Sequence, residues 1–154
     1  MTLEQICVSK EWAEKLKEAG FEQESLLKYC GGHTYYQDND DGVFEACPYD
    51  GILDEDEYCA GAGMTCEFFI AAPTASEILE KLPEDIEYQV DKNEPGTRDY
   101  EIRISVDIDG DYLIMYSDFA ANRLLWGISD KSLSNALAKM YCYLESKNLI
   151  KVKD

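Results

Sequence analysis

Apolar positions in this chain alternate between a helical and a strand spacing, and each switch marks an element. Trp12, Ala13, Leu16 and Ala19 make one stripe of a helix over about residues 9–19. Ser9 stands at its N-cap position, and Glu11 precedes Lys15 by four residues, the favourable order for a charge pair. Gly20 supplies a left-handed stop, with Phe21 placed to fold back on the last turn. Thr2-Leu3-Glu4-Gln5 also fits a capping box, so an earlier start stays open. A second box, Thr74-Ala75-Ser76-Glu77, leads into Ile78, Leu79 and Leu82, and Pro83 ends that helix. The third helix covers about residues 132–147, where Leu133, Ala136, Leu137, Met140, Tyr141 and Leu144 keep helical spacing. Lys147 complements its C-terminal dipole, and Asn148 can take the left-handed stop.

Between the helices the spacing is that of strands. Ser25 to Cys30 and His33 to Gln37 are short, tyrosine-rich runs, and Gly31-Gly32 between them predicts a two-residue hairpin turn. Asp38 to Gly63 has no sustained period and carries Gly42, Pro48, Gly51, Gly61 and Gly63, so it reads as one long irregular loop. Thr65 to Ala71 is a strand. Ile86, Tyr88 and Val90 alternate with polar residues, as do Tyr100, Ile102, Ile104, Val106 and Ile108. Asp109-Gly110 then turns the chain into Tyr112 to Tyr116, and Arg123 to Ile128 forms a further strand.

The expected fold is therefore α+β: one domain over residues 1–154, with an antiparallel sheet built from hairpins and packed by about three helices, and an acidic loop over residues 38–63. The inward face should carry Tyr100, Ile102, Ile104 and Val106, covered by Leu133, Leu137, Met140 and Leu144. Neither an internal repeat nor a linker is visible.

Charge changes the picture more than composition does. The formal net charge is −18 and the sequence pI is about 4.2. From Lys28 to Lys81 no lysine or arginine intervenes, yet twelve acidic residues do, nine of them between Asp38 and Glu57. Such a surface repels nucleic acid and anionic membrane and attracts basic proteins or cations. No apolar run reaches the roughly 20 residues a membrane span needs, and Met1 to Lys10 lacks the pattern of a secretory signal. A cytoplasmic setting follows, in which the six cysteines are expected as reduced thiols. A monomer or a small homo-oligomer fits; the charge opposes close self-association unless the interface avoids the acidic loop.

Three stretches, taken in order, resemble a known group of proteins. They are Val8-Ser9-Lys10-Glu11-Trp12-Ala13-Glu14-Lys15-Leu16-Lys17-Glu18-Ala19-Gly20-Phe21, with Gln23-Glu24-Ser25-Leu26 after it; Ala71 to Pro83; and Ser132 to Leu149. Together they resemble small phage- and prophage-encoded proteins of gut bacteria that have no assigned function. The resemblance covers most of the chain outside residues 38–63. It implies a mobile-element protein in a bacterial host cytosol and carries no catalytic residues to transfer.

Candidate chemistry is confined to a few places. Cys30-Gly31-Gly32-His33 puts a thiol and an imidazole two residues apart on the expected turn, and Cys47, Cys59 and Cys66 follow. Tetrahedral zinc takes four such ligands, commonly as two close pairs, and only one close pair exists here. A zinc-stabilised accessory module using Cys30, His33 and two of Cys47, Cys59 and Cys66 stays open beside scattered thiols. No acidic run fits an EF-hand: with Gly42 at the sixth position Gln37 falls first and Pro48 last, and with Gly110 there Ser105 falls first and Tyr116 last. His33 is the single histidine, expected exposed at the turn, and no nucleophile elbow or phosphate-binding glycine loop is present. A small enzyme using His33 or a carboxylate pair is a further alternative. The feature that stands out is Asp38, Asp40, Asp41, Glu45, Asp50, Asp54, Glu55, Asp56 and Glu57 interleaved with Phe44, Tyr49 and Tyr58. Carboxylates can imitate a phosphate backbone, and aromatics can anchor an interface. The expected function is a non-enzymatic protein that binds a basic protein surface without contacting nucleic acid itself. A nucleic-acid mimic that inhibits a host defence or DNA-processing protein is one form of that function. The plain alternative is that the charge only maintains solubility.

Overall fold

The computed structural model describes residues 6–25, 27–35, 46–47, 51–54, 64–89 and 96–150, with the backbone alone at 28, 30–35, 46–47, 51–54 and 64–69. The chain divides into two compact units, Met1–Thr74 and Ala75–Asp154. Each combines helix with antiparallel strands, and the fold class is α+β.

The first unit holds α1 (Lys10–Glu18), β1 (Leu27–Tyr35), β2 (Ala46–Cys47), β3 (Gly51–Asp54) and β4 (Met64–Ala71). Gly20 takes φ +78, and the Phe21 amide donates to the carbonyl of Leu16, which folds the buried Phe21 back on α1. Ala13 and Leu16 are the buried side of the stripe. β1 is the central strand: β4 pairs along one edge, while β3 and then β2 pair along the other. The core gathers Cys7, Val8, Ala13, Leu16, Phe21, Leu27, Tyr29, Ile70, Ala71 and Ala72. Polar groups tie it. The Tyr29 hydroxyl donates to the carbonyl of Val8 at 2.9 Å. Gln23 donates to the carbonyl of Phe21 and accepts from the amide of Ala71.

Two expectations change here. Gly31-Gly32 is not a hairpin turn: β1 runs straight through it, in one register with β4 from Lys28↔Ala71 to Tyr35↔Met64. A turn at that point would pair Cys30 with His33 and leave the eight-residue strand β4 with a shorter partner. The longer pairing wins because a ladder gains hydrogen bonds with every residue added. The segment 38–63 is not wholly irregular either, since β2 and β3 fall inside it.

The second unit holds α2 (Ala75–Leu79), β5 (Asp85–Tyr88), β6 (Arg98–Val106), β7 (Tyr112–Asp118), β8 (Arg123–Asp130) and α3 (Leu133–Ser146). The strands form a meander in the order β5-β6-β7-β8. The turn after β6 uses three residues, Ile108, Asp109 and Gly110, rather than two: the amide of Asp107 donates to the carbonyl of Asp111, and Gly110 takes φ +86. The Asp107 carboxylate accepts from the amides of Asp109 and Asp111, which holds the turn. α3 begins at Ser132, whose hydroxyl accepts from the amide of Asn135. Asn148 ends it at φ +57.

The inward face of the sheet buries Ile86, Tyr100, Ile114 and Tyr116, while α3 buries Ala136, Leu137, Ala138, Met140, Tyr141 and Leu144. α3 packs on β7, β8 and α2. The Tyr116 hydroxyl donates to the carbonyl of Pro83 at 2.5 Å. At one end of this face Trp126 meets Tyr88 and Tyr143 edge-on, with ring centroids 5.0 and 5.2 Å away. Ile104 departs from expectation. It shares the inward phase but is 43% exposed, and Val106 is 59% exposed. The reason is the position of α3, over β7 and β8, beyond which the far end of β6 projects.

Candidate functional site

Of the acidic segment, Asp54 is placed, opposite Leu27 at the end of β3. Asp38, Asp40, Asp41, Phe44, Glu45, Tyr49, Asp50, Glu55, Asp56, Glu57 and Tyr58 lie outside the described residues, as does Cys59.

The strand register rearranges the cysteine–histidine set. His33 lies opposite Cys47 on one edge of β1 and opposite Cys66 on the other. Cys30 lies three positions along the same strand, opposite Gly51 and Phe69. An odd separation in a strand puts positions 30 and 33 on opposite faces, so the pair that looked close in sequence does not converge. His33 is within a strand and not at a turn. Positions 47, 33 and 66 instead form a row across three strands. With neighbouring strands about 4.8 Å apart, the outer two positions are roughly 9.5 Å apart. Among the described residues no group of three His, Cys, Asp or Glu side chains is arranged to hold a metal. Cys7 and Cys142 are thiols, the first buried and the second half-buried.

The outward face of the second sheet carries a feature that depends on strand register and not on spacing along the chain. On β5 and β6, Asp85 lies directly opposite Glu101, and Glu87 directly opposite Asp99. All four are exposed. Glu87 accepts from the Thr97 hydroxyl, and Glu101 accepts from Arg103 at 3.1 Å. On β7 and β8 the same face turns apolar. Leu113 and Met115 point outward, opposite in phase to the buried Ile114 and Tyr116. A bulge follows: Tyr116 pairs with Trp126 but Ser117 pairs with Leu124, leaving Leu125 as the extra residue. The bulge brings Leu124, 61% exposed, onto this face. Gly127 lies between these side chains. A Cβ added there would meet Met115, Leu124 and Leu113 at 3.6, 3.7 and 3.8 Å. Phe119, 77% exposed in the β7–β8 turn, has the Arg103 guanidinium 4.7 Å from its ring centroid. One half of the face is thus a carboxylate quartet and the other an apolar strip, with Arg103 at their border.

The signal for this strip was present but ambiguous. Tyr112-Leu113-Ile114-Met115-Tyr116 is apolar in both phases, so a period of two cannot say which side is covered.

Beside this face the sheet is fastened to α3 by Asp130. Its carboxylate accepts from Lys139 at 2.8 Å and from the amide of Ser132 at 2.8 Å. Partial burial alone would raise this carboxyl, but the bonds from Lys139, Ser132 and Asn135 and the Lys139 charge outweigh it and hold the group below its ordinary value. Burial, aided by the Asp85 charge, pushes the Tyr116 hydroxyl up, so it stays a donor.

No protein-family model, curated protein or solved structure matches this chain. Among the described residues no helix is long and apolar enough to cross a membrane.

Proposed function

We propose that this chain is a non-enzymatic binding protein of phage or prophage type that engages a basic protein surface. The observation that carries the reading is the register of the carboxylate quartet. Solubility requires net charge, but it does not require like charges directly opposite one another, a placement that is destabilising. Asp85↔Glu101 and Glu87↔Asp99 are two such pairs on one exposed face. They oppose folding and favour a cationic partner. The run from Asp38 to Glu57 adds to the same field, which speeds encounter with basic surfaces. In this reading the natural target is a nucleic-acid-binding protein of the host, whose basic groove the carboxylates occupy in place of phosphates.

The test is capture from a nuclease-treated bacterial lysate at physiological salt, read by native mass spectrometry. Wild-type protein is compared with a variant in which Asp54, Glu55, Asp56 and Glu57 are lysine and with one in which Asp85, Glu87, Asp99 and Glu101 are lysine. A stoichiometric basic partner lost from either reversal supports the reading. A partner retained by both reversals, or no partner of basic character, overturns it.

A further inference from the structure

We infer that the outward face of the β5–β8 sheet is a docking surface for a basic protein segment bearing an apolar side chain, a proposal that rests on the binding reading above. Three properties of the face select this occupant. Its apolar half gathers Leu113, Met115 and Leu124 around Gly127, and exposed Phe119 lies against Arg103 at the border of the two halves. The strip runs from half-buried Leu113 and Met115 to exposed Leu124, so an apolar side chain laid on it would be covered along its length. Its other half is anionic, with four exposed carboxylates in two opposed pairs. The two halves lie on adjacent strands, β6 and β7, so a ligand a few residues long reaches both.

Charge decides among the possible occupants. A second copy docking face to face on a two-fold axis would set each quartet against the other quartet or against the partner's apolar strip, and in neither arrangement do the carboxylates gain a cation. Nucleic acid and anionic lipid meet the same repulsion. A cationic segment instead neutralises the paired carboxylates and relieves their mutual repulsion, while its apolar side chain covers Leu124 and Met115. Such a ligand gains on both halves, and no other class does.

The experiment uses the full chain and three synthetic peptides that alternate lysine with leucine, lysine with serine, and glutamate with leucine. Binding is followed by amide chemical shifts. The lysine–leucine peptide should move Leu113, Met115, Leu124, Gly127 and Glu101, and should bind about tenfold more weakly to Leu124→Asp, as expected for loss of an interface anchor. Leu124 is exposed, so that variant should fold, and its thermal midpoint checks this. Glu87→Lys should weaken the same peptide. The lysine–serine peptide should bind more weakly, and the glutamate–leucine peptide should leave the face unmoved. Three results overturn the inference in different ways. If the lysine peptides bind but shift only residues outside this face, the docking surface is wrong while the basic-partner reading survives. If the glutamate–leucine peptide binds as well as the lysine–leucine peptide, both fall. If the chain dimerises and Leu124→Asp makes it monomeric, the occupant is a second copy.

Discussion

Asp130, at the end of β8, and Lys139, on α3, meet at 2.8 Å and tie the helix to the sheet edge it covers. Because the pair holds the Asp130 carboxyl below its ordinary value, its contribution is present while the carboxylate is ionised. That stability is complete above the carboxyl's unfolded value, near pH 4, and is lost as pH falls through the lower folded value. Lys139→Met should therefore cost on the order of 1 kcal/mol at pH 7. The difference from wild type should shrink in acid, and urea midpoints at pH 7 and pH 2.5 would show it. A constant difference across that range would mean that Lys139 acts through its aliphatic packing.

The inward face predicts a contrast between two isoleucines in register. Ile104 and Ile114 are direct cross-strand partners, yet Ile114 is fully buried and Ile104 is 43% exposed. Ile114→Ala should cost about 2–5 kcal/mol, the range for emptying a core site. Ile104→Ala should cost well under half of that. Equal losses in chemical denaturation would show that the end of β6 is covered in solution.

This contrast marks where the sequence stops being informative. Helix ends were legible because the chemistry is local: Gly20 and Asn148 take the left-handed stops, and Ser132 caps α3. Alternation placed β6 and β7 and the turn at Gly110. Alternation does not show how far α3 reaches over the sheet, which is set by tertiary packing, so spacing alone puts Ile104 in the core. Nor could it find the bulge that turns Leu124 outward. Gly31-Gly32 misled for a related reason. A local turn preference worth little was outcompeted by a long-range pairing with β4, 29 to 43 residues away at the ends of its register with β1. Of the candidate site, the charge was legible from composition, but the opposed pairing of Asp85 with Glu101 depends on register.

Two glycines should respond oppositely to alanine. Gly110 takes φ +86, which a side chain disfavours whatever the space, so Gly110→Ala should cost about 1 kcal/mol. Gly127 has no such φ, and its added Cβ makes ordinary contacts with Leu113, Met115 and Leu124. Gly127→Ala should be neutral or stabilise by up to about 1 kcal/mol, since it also reduces the freedom of the unfolded chain. Thermal midpoints of the two variants decide the matter.

The row of Cys47, His33 and Cys66 makes a prediction about oxidation. Cys47 and Cys66 flank the same residue from opposite strands, so their Cα atoms are about 9.5 Å apart. A disulfide requires roughly 4.4–6.8 Å. Mild oxidant should leave no Cys47–Cys66 linkage in the folded chain, whereas the same treatment in denaturant can form it. Peptide mapping without reductant distinguishes the two, and a 47–66 bond in the native protein would show that the three strands do not pair in this register.

Glu87→Lys joins the stability argument to the functional one. Glu87 faces Asp99 directly, both exposed, and reversing one charge converts a repulsive pair into an attractive one. The new pair should contribute about 0.2–1 kcal/mol, offset in part by loss of the exposed hydrogen bond from the Thr97 hydroxyl. Binding to a basic partner should instead weaken, mainly through slower association and a shallower salt dependence, because a rim charge acts on encounter. A variant that is more stable and binds less well separates the two roles of the residue: charge retained at a cost to folding is charge used elsewhere. If Glu87→Lys is more stable and binds as tightly as wild type at every salt concentration, the quartet serves solubility, and the docking surface must be sought on the other acidic segment.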